Sequence, residues 1–146
     1  MAYVIKETEN WRPLTELFNE MGLEVEIGDV PPKSMLKMWC LEDEDTGEYL
    51  GGATLQLKKG VHALGSLAVR PAANGGGWGE QLLEKVFEET KALGGTEIWA
   101  CARIPEYYFK LGWEKMDPET APKIFNCQYC DRFGVSCHPA IIRKTL

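Results

Sequence analysis

Asn74-Gly75-Gly76-Gly77-Trp78-Gly79 stands between an apolar run, 64–69, and an amphipathic segment that opens at Glu80. Glycines this dense at a helix entrance let several backbone N–H groups converge on one guest without side chains in the way. The helix start adds partial positive charge, so the guest is an anion, and a pyrophosphate fits. Two phosphate loops fail the spacing. The triphosphate loop requires Gly-Lys-Ser/Thr, whereas Gly79 is followed by Glu80-Gln81. The dinucleotide fingerprint requires a glycine three places after its second one, where Leu82 stands. On spacing alone, a glycine turn with no ligand stays open as a second reading.

A second group of reactive side chains lies near the C-terminus: Cys127, Cys130, Cys137 and His138. A Cys-x-x-Cys pair is half of a tetrahedral zinc site, but the adjacency of Cys137 and His138 departs from the usual second half. Three thiolates with an outside fourth ligand would complete it. A redox pair and packed free thiols in a reducing compartment are the alternatives. Cys40 and Cys101 fall in expected strands and read as core residues.

The elements that must position these groups follow from periodicity. Residues 2–6 read as a first strand, and Asn10 caps a helix over about 11–21 with Leu14, Leu17 and Phe18 on one face. The segment 23–32 carries Glu24, Glu26 and Asp29, as an acidic pocket wall or a solvated loop. Strands are expected at 35–42 and 49–57, with Gly51-Gly52 marking a bulge or a close approach, and at 64–69. His62 reads as a surface residue near the preceding turn. Beyond the glycines, Leu82, Leu83, Val86, Phe87, Thr90 and Leu93 form one helical stripe opposite Glu80, Glu84, Glu88, Glu89 and Lys91. Strands follow at 96–101 and 140–146, with an extended piece from about Lys123 to Phe125. This order gives an α+β fold, one mixed sheet with helices on both faces.

At 146 residues the chain suits one domain, 1–146, able to bury roughly two-thirds of its unfolded surface. Hydrophobic content of 45% and charged content of 26% argue against disorder. A net charge of −6 disfavours nucleic acid, whose phosphates want a basic face. No apolar run reaches membrane-span length and no secretory leader is evident, so a cytoplasmic protein is expected.

The spacing Leu67-Ala68-Val69, Pro71, Asn74, Gly75, Gly77, Gly79, Leu82-Leu83 resembles the acyl-CoA motif of the GNAT superfamily of N-acyltransferases. In that register Asn74 takes the place of an arginine or glutamine, and Gly77 and Gly79 take the two small places. Tyr107-Tyr108 through Gly112-Trp113 resembles the family's second signature, with Trp113 for phenylalanine. The resemblance implies a GNAT-like, largely antiparallel sheet of about six to seven strands. It implies transfer of an acetyl group from acetyl-CoA to a small-molecule or peptide amine by direct attack. A non-catalytic acyl-CoA-binding domain is the alternative, and pairing of two copies through C-terminal strands is compatible with the family.

In the same terms, backbone N–H groups from Asn74 through Gly75, Gly76, Gly77 and Trp78 to Gly79 would hold the pyrophosphate. The edge of Leu67, Ala68 and Val69 would pair with the pantetheine arm like another strand, and one of its amides could polarise the thioester carbonyl. Tyr108 falls on the family's general acid; a phenol of pKa about 10 is protonated at neutral pH and can serve a thiolate of pKa roughly 8.5. Tyr107, about 100° away on a short helix, is the alternative. No base is identified; Glu24, Glu26 and Glu106 are the candidates.

Overall fold

A computed structural model describes residues 2–23, 25–129, 132–133, 135 and 138–146, with the backbone alone for 126 and 127. Among them the chain runs β1 (Tyr3–Glu7), α1 (Trp11–Glu20), β2 (Met35–Asp43), β3 (Tyr49–Lys58), β4 (Val61–Val69), α2 (Trp78–Ala92), β5 (Glu97–Ala102), α3 (Glu106–Phe109), β6 (Glu114–Lys115) and β7 (Ala140–Thr145). A 3-10 turn, Pro71–Ala73, links β4 to the glycine loop. The seven strands form one sheet in the order β1-β2-β3-β4-β5-β7-β6. Every adjacent pair is antiparallel except β4 with β5.

Alternation along the strands divides the core between two faces. Trp39, Ala53 and Leu55 point to the α2 stripe of Leu82, Leu83 and Val86. Met38 and Cys40 point the other way, to Leu14, Leu17 and Phe18 of α1. The three α1 side chains are fully buried, each contributing roughly 1.5–3 kcal/mol. Gly52 is a close approach: a methyl there would stand 2.5 Å from Leu14 Cδ2, so the absence of a side chain lets α1 lie directly on β3.

Two expectations are corrected. β4 begins at Val61 rather than 64, which places His62 inside the strand opposite Leu57. The extended piece at 123–125 is not a strand; the short strand that pairs with β7 is Glu114–Lys115. Ile124 and Phe125 are instead buried side chains packed on Ala63, Trp99 and Ile141. A loop can be anchored by its own apolar residues without entering the ladder, and periodicity over three residues does not separate the two cases.

Candidate active site

The site originates where β4 and β5 part. They share one register pair, Ala63↔Trp99, whereas β4 stays paired with β3 from Val61 to Val69. From Gly65 onward the β5-side edge of β4 is therefore open, and residues 65–69 are partly or fully exposed although the strand is central. A parallel pair that diverges after one contact leaves backbone donors and acceptors free for another extended partner.

β4 also carries a bulge at this point. Ala53 pairs with Leu67 and Leu55 with Leu64, so Thr54 faces both Gly65 and Ser66. The Thr54 hydroxyl accepts the Ser66 N–H at 3.0 Å. Arg70 N–H donates to Leu50 O, toward β3. Strand alternation then turns the Leu67 and Val69 N–H groups away from β3, into the opening.

A cleft of about 320 Å³ begins on Leu67, Ala68 and Val69 and continues over Asn74, Gly75, Gly77, Trp78 and Gly79 to Glu80, Tyr107 and Tyr108. Gly75 and Gly77 have φ of +87° and +71°, the left-handed region where side chains are strained. Gly77 is the cap of α2, and the first helical N–H that finds a carbonyl is that of Gln81, bonded to Gly77 O. The N–H groups of Trp78, Gly79 and Glu80 precede it and face the cleft end of the helix dipole. A methyl at Gly79 would stand 2.6 Å from Tyr107 Oη, so this glycine makes room for the phenol.

The sequence-predicted residues are thereby gathered in one place, with two differences of detail. Asn74 lines the cleft, but its N–H donates to Pro71 O at 3.1 Å and is not free for a phosphate, contrary to expectation. Gly76 is not among the lining residues; the Trp78 ring occupies the space its side chain would need, with Nε1 2.6 Å from a built methyl. Trp78 also meets Tyr3 edge to face at 6.1 Å, which fixes the loop against β1. No lysine or arginine is among the described lining residues of this cleft, so an anion held there would rest on backbone groups.

Tyr108 and Tyr107 both line the cleft. Tyr108 packs edge to face on Trp113 at 5.4 Å and on Tyr107 at 5.2 Å. Burial, with a smaller contribution from Tyr107, pushes the Tyr108 phenol up to about 12. Burial and Glu80 also raise Tyr107, which is 39% exposed. Tyr108 is thus the anchored phenol and Tyr107 the outer one.

A second cavity, of about 900 Å³, lies along the earlier part of β4, residues 63–66. Its walls come from Trp11 of α1, the segment 25–34, Thr54, Gln56 and Lys58 of β3, Cys101 of β5, and Phe125. Gln56 Nε2 donates to Ser34 Oγ at 2.9 Å, and its Oε1 lies over Gly65 where a methyl would overlap it. Glu26 lines this cavity and Glu106 lines neither; Glu24 is outside the described residues. Asp29 also lines it, but its carboxylate is held by Arg12 through Nε at 2.5 Å and Nη2 at 3.1 Å. Sequence reading missed Thr54, Gln56 and Lys58, although three polar residues at period two in an otherwise apolar strand signal a shared, occupied face.

Cys130 and Cys137 lie outside the described residues, as does the Cys127 side chain, and His138 is exposed. Among the described residues no group of three or more His, Cys, Asp or Glu could hold a metal. No described helix is long and apolar enough to cross a membrane.

Comparison with known proteins agrees with this fold. The chain is similar in fold to N-acetylglutamate synthase from Neisseria gonorrhoeae complexed with coenzyme A and N-acetyl-glutamate, with TM-score 0.77 and 20% identity, over 100% of this chain and 35% of that one. It thus spans about a third of that protein's length. An acetyltransferase of the GNAT family from Staphylococcus aureus matches at TM-score 0.73 and 16% identity over 99% of both chains. Naa50 from Arabidopsis thaliana, in complex with the bisubstrate analogue CoA-Ac-MVNAL, matches at TM-score 0.70 and 17% identity over 100% of both. The sequence profile of the acetyltransferase (GNAT) family matches residues 7–113, which span both the glycine loop and the tyrosine pair, and the chain belongs to that family.

Proposed function

We propose that the protein transfers an acetyl group from acetyl-CoA to a primary amine by direct attack in a ternary complex. One observation carries this reading: the two cavities meet on a single open strand edge, the narrow cleft beginning at Leu67 and the wide cavity ending at Ser66. A thioester at that junction faces an acceptor on one side and its own pantetheine on the other. Solved relatives hold coenzyme A with N-acetyl-glutamate, or a CoA–peptide bisubstrate analogue, which supports an amine acceptor.

In this reading the N–H groups of Trp78, Gly79 and Glu80 receive the pyrophosphate, and Gly75 and Gly77 keep the approach clear. The Leu67 and Val69 amides bond the pantetheine arm. The Leu67 N–H, beside the bulge, is placed for the oxyanion; the Ser66 N–H is already taken by Thr54. Holding both reactants in adjoining pockets supplies much of the acceleration.

The Tyr108 pKa defines its part. A phenol at about 12 that gave its proton fully to a thiolate of roughly 8.5 would move it uphill by roughly 4–5 kcal/mol. Tyr108 therefore acts as a hydrogen-bond donor that stabilises the departing thiolate, and the thiol's proton comes from the reacting amine or solvent. The amine must attack in its neutral form, and Glu26, which unlike Asp29 has no ion-pair partner among the described residues, is the cavity carboxylate that could accept its proton, directly or through water.

The test is calorimetric titration with acetyl-CoA followed by thiol-release assays over a panel of primary amines. Saturable binding with amine-dependent thiol release is expected. Binding without turnover on any amine would leave a non-catalytic acyl-CoA-binding domain.

A further inference from the structure

The wide cavity holds a charge that no described carboxylate neutralises. Lys58 ends β3 and lines the cavity beside Gln56 and Phe125. Its ammonium has the Ile124 carbonyl at 3.5 Å, the outer limit of a hydrogen bond, and the Phe125 ring centroid at 6.0 Å. Among the described residues no carboxylate lies within ion-pairing distance of it. Two other strand lysines do have carboxylate partners: Lys6 has Glu42 at 2.7 Å, and Lys37 has Glu7 at 3.3 Å and Glu89 at 3.1 Å.

The cavity's own acids do not supply the missing partner. Asp29 is engaged with Arg12, and Glu26 sits on an exposed stretch. Burial lowers the Lys58 pKa, the mark of an ammonium that has lost water without gaining a counter-ion. The uncharged polar side chains of the wall are Ser34, Thr54, Gln56 and Ser66. An ammonium with no described carboxylate within ion-pairing distance, beside these neutral donors and acceptors, matches a carboxylate on the ligand.

Distance narrows the ligand further. Thr54 marks the bulge at the thioester junction, and Lys58 lies four residues along the same strand, about 13 Å of backbone. Lys58, Gln56 and Thr54 share one face of β3, so the cavity floor runs from the junction to the ammonium. That span suits an anion several bonds from the attacking nitrogen.

Resting on the acyltransferase reading above, we infer that Lys58 determines acceptor specificity and that the acceptor is an amine bearing a carboxylate several bonds from its reactive nitrogen. The probes are γ-aminobutyrate, its amide, and n-butylamine, titrated calorimetrically into the protein–CoA complex and then assayed with acetyl-CoA. γ-Aminobutyrate is expected to bind and react with a KM about tenfold or more below that of the two amines without a carboxylate. Lys58→Met should remove that preference while leaving CoA affinity unchanged, and Lys58→Gln serves the same purpose if the methionine variant does not fold. A wild-type protein indifferent to the carboxylate, or variants that keep the preference, would overturn the assignment. Binding and turnover separate the two claims. Lys58-dependent binding without acetyl transfer retains the anion site and removes the acyltransferase reading; turnover independent of Lys58 does the reverse; neither binding nor turnover removes both.

Discussion

The two cavities that meet on β4 are built from different materials. The cleft from Leu67 to Tyr108 is narrow and, among the described residues, contains no cationic side chain; it presents glycines, strand amides and the start of α2. The cavity from Ala63 to Ser66 is almost three times larger and is walled by side chains of α1, β3, β5, the 25–34 segment and Phe125. Backbone donors are the same whatever residue carries them, so under the proposed function the first region would hold one cofactor type. Side chains set charge and shape, so the second is built to choose. The same contrast orders the effects of mutation: replacements in the cleft act through glycine and sterics, while those in the cavity act through charge and hydrogen bonding.

The strongest disruption is expected at the cap of α2. Gly77→Glu adds a side chain at φ +71° and a negative charge at the helix entrance, and should reduce CoA affinity by at least about a hundredfold in calorimetry. Retained affinity would show that the glycine loop is not the phosphate cradle.

Tyr108→Phe comes next. Loss of one hydrogen bond to a developing charge, worth about 1.5–3 kcal/mol, should lower kcat roughly 10- to 100-fold with little change in CoA affinity. The pH profile supplies a second reading. A phenol at about 12 keeps its proton through the ordinary range, so turnover should rise as the amine deprotonates and show no alkaline limb from Tyr108 below about pH 10. Its folded pKa lies above the unfolded value of about 10, so its stabilising contribution is complete below pH 10 and is lost as pH rises through about 12. An alkaline limb near pH 8 that vanishes in the phenylalanine variant would contradict this assignment.

Gly79→Ala and Gly65→Ala test the two sides with one methyl each. At Gly79 the methyl meets Tyr107 Oη, so CoA affinity should fall about tenfold and recover in the Gly79→Ala/Tyr107→Phe double variant. At Gly65 it overlaps Gln56 Oε1 and approaches Thr54 Oγ1 at 2.5 Å, so acceptor KM should rise several-fold with CoA affinity about unchanged. Equal effects on both ligands from either change would blur the boundary at Ser66–Leu67.

The smallest effect is expected at Glu80, which lies in the first turn of α2 and lines the cleft. Its charge complements the helix dipole but opposes an incoming pyrophosphate. Glu80→Gln should tighten CoA about two- to fivefold at low salt, with the gain shrinking as ionic strength rises, and should slightly lower thermal stability.

Much of the cleft was legible because it is contiguous. Residues 64–83 contain the strand, the turn, the glycines and the helix start, and local steric rules are enough to read an anion site from them. The Asn74 N–H was misread because the 3-10 turn Pro71–Ala73, which consumes it, leaves no distinctive sequence pattern. Gln56 reads as an ordinary residue of the strand at 49–57, and Lys58 falls just beyond it, at the turn. Their cavity exists only because β5 diverges after Ala63↔Trp99 and because Phe125, more than sixty positions along the chain, packs beside Ala63.

The sequence alone determined the order of elements, the face of each helix and the glycine-rich entrance to α2, since these depend on period, glycine and spacing within about thirty residues. Tertiary structure decided where the sheet opens, which tyrosine is anchored, which amides remain unpaired, and that a lysine without a carboxylate partner among the described residues faces the wide cavity. The physical reason is that burial and hydrogen-bond satisfaction are properties of neighbours brought together by folding, and no single segment of the chain contains them.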